Sequence, residues 1–246
     1  MVTGGKLYLD ASNANSASSE RLLTMGTTLR LVKEEDFDPT VTNRAVYHNA
    51  AVWLPVRDEE GNYAATIALI PQHCSYSLGY LPLTMENIMD VAFSMLGDAY
   101  GWGGMLGVPD CSGYMRNIYK CFGLEIPRNT TWQSAMPAGR MDLSEMDDEA
   151  KAEAIGGMPA GTILFFRGHE MMYLGEANGL HYVLSSVGSI MAPGGDTTQR
   201  IRGVVINTLE ETVRGNGNTW LHDLHTAVQP WLPEAIEEED ELSDAA

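Results

Sequence analysis

Residues 100–122 read YGWGGMLGVPDCSGYMRNIYKCF, a glycine-rich segment that leads into a cysteine and an amphipathic stretch. Apolar side chains then recur at the spacing of one helix face, at Met115, Ile118, Tyr119 and Phe122. The pattern predicts a helix that begins at Cys111 and stops at Gly123. Because the first turn of a helix is the positive end of its dipole, we expect the pKa of this thiol to fall from about 8.5 toward neutrality. Cys111 is therefore a candidate nucleophile, and the alternative is a buried, inert cysteine.

A cysteine nucleophile needs a general base, and the chain has six histidines to supply one. His169 opens the strand-like segment HEMMYLG, directly after the strand-like GTILFF of residues 161–166 and a short loop. This position places an imidazole at a strand end, where it can face a neighbouring helix N-terminus. His222 and His225 fall in a helix predicted over residues 219–228, and two histidines alone are a weak metal signal.

The segments around Cys111 and His169 alternate between helical and strand-like patterns. A helix is predicted from residue 84 to Gly97, with Thr84 as its N-cap, and a short acidic helix over residues 144–155. Further strands are predicted at residues 171–174, 182–185 and 204–206. Helices followed by strands indicate an α+β domain.

The first 80 or so residues show a different sequence pattern. Short apolar stretches recur between polar turns, at residues 6–9, 28–32, 51–56 and 63–70. Several short strands at such spacing are typical of a small all-β barrel or sandwich, and the segment is too short for an immunoglobulin sandwich. We therefore expect an SH3-like barrel over residues 1–82, a second domain over 83–235 and a mobile acidic tail over 236–246.

Composition excludes several classes of function. The chain has 246 residues and a formal net charge of −18, which disfavours binding to nucleic acid or anionic lipid. Its apolar runs are too short to span a bilayer. The three cysteines show no CxxC spacing, so we expect neither a disulfide framework nor a zinc site, and no metal or organic cofactor is implied.

The sequence does not determine the cellular compartment. The start, MVTGGKLYLDASN, shows no basic segment followed by an apolar one, so no secretory signal is visible. A native start at Met1 would place the protein in the cytoplasm. A start cut from a longer exported chain would place it in the cell envelope or outside the cell. The oligomeric state is likewise undetermined by the sequence.

Five motifs in order carry a resemblance to a known family. YGWGG, DCSG, FGLEIPRN, GTILFF and GHEMMYLG, between residues 84 and 206, resemble the NlpC-type cell-wall peptidases. These are papain-like cysteine enzymes that cleave the stem peptides of peptidoglycan. The segment before them resembles the bacterial SH3-like domains often found upstream of such catalytic domains. The resemblance implies an α+β, papain-like cysteine peptidase domain preceded by a small all-β SH3-like barrel.

The resemblance also assigns roles to individual side chains. Cys111 matches the family nucleophile, His169 the general base, and Tyr100 a tyrosine whose hydroxyl lies near the nucleophile. The resemblance implies an oxyanion held largely by main-chain N–H groups at Cys111.

Four more residues match substrate-binding positions of the family. Asp110 and Ser112 flank the nucleophile where relatives help to bind the free amine end of the stem peptide. Arg128 and Asn129 fall in the segment that borders the substrate groove.

The third catalytic residue departs from the family pattern, which commonly has His, Asn or Gln on the next strand. The usual spacing selects His181, but the turn signal at residues 176–179 would pair His181 with a residue near Leu174. At about 3.3 Å per residue, His181 is then about 15 Å or more from His169. The same hairpin reaches Ser185 or Ser186 at the level of His169. We therefore predict Ser185, a weaker orienting group than a carboxylate, with His181 as the alternative.

The resemblance implies an endopeptidase that cuts the bond from γ-D-glutamyl to the diamino acid, with peptidoglycan or a muropeptide as its substrate. Two alternatives stay open: an amidase or acyltransferase on the same fold, and a catalytically silent wall-binding module. The barrel is expected to contact substrate through Tyr47 or Trp53, or to close one end of the groove. In relatives such a wall restricts activity to peptides with a free N-terminal L-Ala, and Trp53 is equally well explained as barrel core.

Overall fold

The computed structural model describes residues 1–43, 45–191 and 197–231. The chain divides into two compact units, one of residues Met1–Tyr80 and one that begins at Leu81. The acidic tail predicted for residues 236–246 lies outside the described residues. No helix in the described ranges has both the length and the apolar character needed to cross a membrane.

The described part of the first unit contains two small antiparallel sheets. One pairs β1 (Lys6–Tyr8) with β2 (Leu22–Thr24), and the other has the order β3 (Arg30–Leu31), β4 (Ala50–Arg57), β5 (Tyr63–Ile70). A short 3-10 helix (Glu34–Asp36) and a short α-helix, α1 (Pro39–Thr42), lie between β3 and β4. The strands at four apolar stretches are confirmed, and β2 is a strand that the sequence pattern missed.

The SH3-like barrel is not confirmed. The hydrogen bonds join the described strands as a pair and a triplet, and no closed barrel forms among them. The long turn-containing segment between β1 and β2 and the very short β3 leave little backbone to close such a sheet. Trp53 is half-buried and packs with Ala51 and Leu69, whereas Tyr47 is 81% exposed.

The second unit is built on one six-stranded antiparallel sheet, and its α+β class is confirmed. The strands are β6 (Arg140–Asp142), β7 (Ile163–Phe166), β8 (His169–Ala177), β9 (Leu180–Ile190), β10 (Gln199–Thr208) and β11 (Leu224–Val228). Their order across the sheet is β10-β9-β8-β7-β11-β6. The strands predicted around His169 are thus present and lie side by side.

Helices accompany this sheet. They are α2 (Met85–Phe93), α3 (Cys111–Lys120), α4 (Thr130–Ser134), α5 (Asp148–Gly156) and α6 (Trp220–Asp223). The predicted N-cap of α2 is confirmed, since the Thr84 hydroxyl accepts the Asn87 N–H at 3.1 Å. The predicted apolar face of α3 is buried and packs against β8 and β9. That packing fixes Cys111, at the start of α3, near the beginning of β8.

The helix predicted over residues 219–228 is wrong. Only Trp220–Asp223 is helical, and Leu224–Val228 forms β11, which pairs with β7 on one side and β6 on the other. Four of the five residues in β11 are buried. Neighbouring strands of the sheet provide this burial, which a helix on the solvated surface would lack. His222 and His225 therefore lie on different elements rather than on one helix face.

The β8–β9 hairpin turns at Asn178 and Gly179, which have φ of 55° and 77°. A left-handed backbone at both positions favours an Asn-Gly pair, so the predicted turn is confirmed. The register pairs His181 with Glu176 rather than with Leu174, because the two-residue turn pairs Ala177 with Leu180. A bulge between Tyr173 and Gly175 shifts the register farther from the turn. His181 thus lies near the hairpin tip.

Candidate active site

A cleft of about 580 Å³ opens at the N-terminus of α3. Its walls include seven of the eight residues predicted for the site: Tyr100, Asp110, Cys111, Ser112, Arg128, Asn129 and His169. The eighth, Ser185, is fully buried behind His169 on β9. The fold therefore gathers the predicted residues from three separate stretches of sequence at one opening.

Cys111 is the first residue of α3, as predicted. Its Sγ lies 3.9 Å from the hydroxyl of Thr130. Burial raises the pKa of the Cys111 thiol to about 11, and the nearby carboxyls of Glu170 and Asp110 act in the same direction. The expected lowering of this pKa is therefore wrong for the free protein, because burial and two carboxyls oppose the helix dipole.

His169 begins β8, with its ring between two aromatic side chains. The ring centroids of Phe166 and Trp220 each lie 5.3 Å from that of the imidazole. Burial lowers the pKa of His169 to about 4, and the positive charge of Arg214 adds to this effect. The imidazole is consequently neutral at pH 7 and able to accept a proton.

The hydrogen bond that orients His169 comes from β9. His169 Nε2 and Ser185 Oγ are 3.2 Å apart, and both groups are buried. Assigning the imidazole proton to Nε2 leaves Nδ1 with its lone pair. His181 instead places Nδ1 2.6 Å from Glu210 Oε1. The structure thus brings Ser185 to His169, and not His181.

Replacing Ser185 with alanine should reduce kcat about tenfold and leave KM nearly unchanged, because a buried imidazole N–H then has no acceptor. Steady-state kinetics on the substrate proposed below will measure both constants. Ser185→Thr keeps the hydroxyl and should recover most of the activity. His181→Gln should retain it, so a large kcat loss in that variant would return the orienting role to His181.

The structure does not join Cys111 to His169 directly. Among the described residues, neither Cys111 Sγ nor His169 Nδ1 makes a hydrogen bond to the other, although both line the same cleft. The resting arrangement is a neutral thiol that contacts Thr130 and a neutral imidazole held by Ser185. It is not a preformed thiolate–imidazolium pair.

Asp110 and Arg128 form a two-pronged ion pair beside the nucleophile. The Arg128 Nη1 and Nη2 atoms lie 2.9 and 3.0 Å from the two carboxylate oxygens. The same carboxylate caps α3 by accepting the Gly113 N–H and also accepts the Gly103 N–H. Burial acts to raise the pKa of Asp110, but these hydrogen bonds outweigh it and hold the pKa below its usual value. A substrate amine at Asp110 would therefore meet an already paired carboxylate.

The remaining predicted residues have identifiable contacts. Ser112 Oγ accepts a hydrogen bond from Arg128 at 3.1 Å, and the Asn129 side chain caps α4 at the Trp132 N–H. Burial raises the pKa of Tyr100, and the charges of Cys111 and Asp110 contribute, which places this phenol close to the nucleophile.

Close packing requires glycine in the loop before α3. A Cβ on Gly101 would lie 2.3 Å from the carbonyl oxygen of Met105, so no larger residue fits. Gly103 and Gly104 have φ of 65° and 89°. The loop thereby delivers the Gly103 N–H to Asp110 and holds Trp102 at the cleft wall.

Sequence reasoning missed three side chains at this site. Glu170 is fully buried beside Cys111, and the signal was a single acid within the apolar run of β8. Thr130 gave no signal beyond its place after Asn129. The Arg214 guanidinium lies 4.4 Å over the Phe166 ring and also donates a hydrogen bond to Asp223. No sequence motif indicates the contact with Phe166, which is far from Arg214 along the chain. In the described ranges, no three metal-ligating side chains cluster.

The fold and the site define the class of this protein. An antiparallel α+β domain with a cysteine at a helix N-terminus and a histidine at the start of a facing strand is that of a cysteine peptidase. Residues 97–201 match the model of the NlpC/P60 family, so this segment of the second unit is of the NlpC/P60 type. The resemblance of this segment to the NlpC-type peptidases is confirmed, and that of the first unit to SH3-like domains is not.

Named relatives show what the chain is similar to. It is 33% identical over 107 residues to the gamma-D-glutamyl-L-lysine dipeptidyl-peptidase of Bacillus subtilis (strain 168). This alignment covers 40% of this chain and 32% of that relative. The chain thus spans about a third of that protein.

Two solved structures share the fold. An NlpC/P60 endopeptidase from Photobacterium damselae subsp. piscicida aligns with a TM-score of 0.68 and 16% identity, over 93% of this chain and 52% of that one. An NlpC/P60 family protein from Bacillus cereus ATCC 10987 aligns with a TM-score of 0.55 and 20% identity, over 93% and 62%.

Proposed function

We propose that this protein hydrolyses peptidoglycan stem peptides at the bond between γ-D-glutamate and the diamino acid, with Cys111 as nucleophile and His169 as general base. The observation that carries the proposal is the cleft that holds Cys111 and His169 within an NlpC/P60 domain. The named activity of the Bacillus subtilis relative supports the choice of bond.

The first chemical step is attack of the Cys111 sulfur on the γ-carbonyl carbon of D-glutamate. The S–H proton passes to His169 Nδ1 while the S–C bond forms. The main-chain N–H of Cys111, at the start of α3, donates no hydrogen bond among the described residues and is available to the oxyanion. The imidazolium then protonates the departing amine as the C–N bond breaks, which leaves a thioester.

The second step is hydrolysis of that thioester. Water attacks the carbonyl carbon and gives its proton to His169, the S–C bond breaks, and the sulfur recovers a proton from the imidazolium. The products are a free γ-carboxylate and a free amine. Ser185 holds Nε2 throughout, so Nδ1 serves both proton transfers.

The protonation states favour general-base attack over a resting ion pair. The pKa of Cys111 is raised and that of His169 is lowered, both chiefly by burial, so the proton stays on sulfur until substrate binds. Attack further requires the sulfur to leave its contact with Thr130 and turn toward the imidazole.

The substrate-binding roles are part of the same proposal. Tyr100, Ser112 and Asn129 line the groove beside the nucleophile, and the paired Asp110 and Arg128 present both charges to the amine end of a stem peptide. The first unit is proposed to be an SH3-like domain that recognises wall peptide through exposed aromatic groups such as Tyr47.

Incubation with a defined muropeptide and identification of the products by mass spectrometry tests this function. We expect cleavage between γ-D-glutamate and the diamino acid. The isomeric peptide with an α-linked glutamate, which has the same mass and charge, should remain intact. Release of the whole stem peptide from the glycan would instead identify an amidase, and transfer of the acyl group to an added amine an acyltransferase.

A catalytically silent wall-binding protein is the second candidate. The raised pKa of Cys111, which comes chiefly from burial, and the missing hydrogen bond to His169 favour it. Binding of the same muropeptide with no turnover at any pH would establish this reading. Measurable cleavage that depends on Cys111 excludes it.

A further inference from the structure

Glu170 is a carboxyl in an unusual place. It follows His169 on β8 and is 0% exposed. Within the described residues, neither carboxylate oxygen has a partner that meets ordinary hydrogen-bond geometry, and the Thr130 hydroxyl acts on the carboxyl from outside that geometry. An unpartnered, ionised carboxylate in such a site carries a large desolvation cost, so a structural role alone gives no physical reason for an acid here.

The surroundings of Glu170 connect it to the nucleophile. Helix α3 packs on β8, and its first residue, Cys111, experiences the charge of Glu170. Thr130, from the start of α4, places its hydroxyl 3.9 Å from Cys111 Sγ and also acts on the Glu170 carboxyl. The charged groups that face Glu170 are Asp110, at the cap of α3, and Arg128, just before α4.

We propose that Glu170 is a positioning residue for Cys111: its neutral carboxyl forms the wall behind the thiol, and its ionised form opposes the thiolate at alkaline pH. The proposal rests on the proposed function only in taking Cys111 as the nucleophile. It predicts that the reactivity of this sulfur rises less steeply with pH than that of an ordinary buried thiol.

The direction of the effect follows from the protonation states. Burial raises the pKa of Glu170 to about 8, Asp110 adds to the rise, and the Thr130 hydroxyl and Arg128 oppose it. Below this pH the carboxyl is neutral and leaves the thiol undisturbed. Above it a second negative charge stands beside the sulfur and raises the pKa of Cys111 further.

The test compares alkylation of Cys111 by iodoacetamide in the wild-type protein and in Glu170→Gln, with the modified peptide quantified by mass spectrometry. At about pH 6 the two rates should be equal, because both side chains are then neutral. At about pH 9.5 the variant should react about tenfold faster, the effect of one unit in the thiol pKa. A rate ratio that stays constant across this range would overturn the proposal.

Glu176→Gln is the matched control, since it removes the same carboxyl from an exposed position on the same strand. Its rates should follow the wild type at every pH. If Glu170→Gln does not fold, infrared titration of the wild type tests the proposal instead. The carbonyl band of the protonated carboxylic acid should then be present at neutral pH and disappear near pH 8. Absence of this band at neutral pH would refute the proposal. Neither readout uses peptide hydrolysis, so either can fail or succeed independently of the proposed function.

Discussion

Replacement of Cys111 by alanine is expected to lower the hydrolysis of the γ-D-glutamyl bond by at least about 10⁴-fold, the scale seen when a covalent nucleophile is removed. Without sulfur no thioester forms, and the oxyanion site alone supplies little catalysis. The rate is measured by mass spectrometry of the muropeptide products. Because the side chain is small and lies at the start of α3, the variant should unfold at nearly the wild-type temperature.

Cys74→Ala is the control for this experiment. Cys74 is a free thiol of the first unit and does not line the cleft. Its removal should leave turnover within about twofold of the wild type, as expected for a substitution outside the cleft. Turnover in Cys111→Ala close to that of the wild type would remove Cys111 from the mechanism.

The second large effect concerns stability. Burial raises the pKa of Glu170 from 4.5 to about 8, so the folded protein holds this proton more tightly than the unfolded chain does. The stability that the neutral carboxyl contributes is complete below about pH 4.5 and is lost as the pH rises through about 8. Glutamine keeps the shape and has no charge to desolvate. Glu170→Gln should therefore gain up to about 5 kcal/mol over the wild type at alkaline pH.

Urea denaturation between about pH 6 and pH 10 measures this gain as a difference in the free energy of unfolding. The difference between Glu170→Gln and wild type should grow with pH and level off above the pKa of Glu170, which burial raises to about 8. Glu176→Gln, at an exposed position, should show no such growth. A difference that is independent of pH would mean that Glu170 is already ionised in the folded protein at neutral pH.

Much of the site is visible in the sequence because its residues occupy positions that local rules define. Cys111 stands after a capping acid at the start of an amphipathic segment, and His169 stands at the start of an apolar strand. The contact between His169 and Ser185 was predictable from hairpin geometry, since Asn178-Gly179 fixes the turn and strand rise fixes the distance. The family spacing alone would have chosen His181.

The features that sequence reasoning missed depend on packing between distant segments. The helix dipole predicted a lowered pKa for Cys111, but burial and Glu170 raise it, and neither is visible in the motif around the cysteine. The sequence predicts a helix through residues 224–228, but they form a strand that pairs with β7 and β6. Pairing between distant segments is not visible in the local pattern. The expected barrel needs hydrogen bonds that join all the short strands of the first unit into one closed sheet, and local sequence patterns do not specify such pairing.

The position of β11 has a consequence for how the enzyme is made. Residues Leu224–Val228 lie between β7 and β6 in the sheet, and β6 pairs only with β11 among the described strands. A chain emerging from the ribosome has β7, β8 and β9 long before this interior strand exists. The sheet of this domain is therefore complete only after residues 224–228 have been synthesised, because β7 and β6 lack their shared neighbour until then.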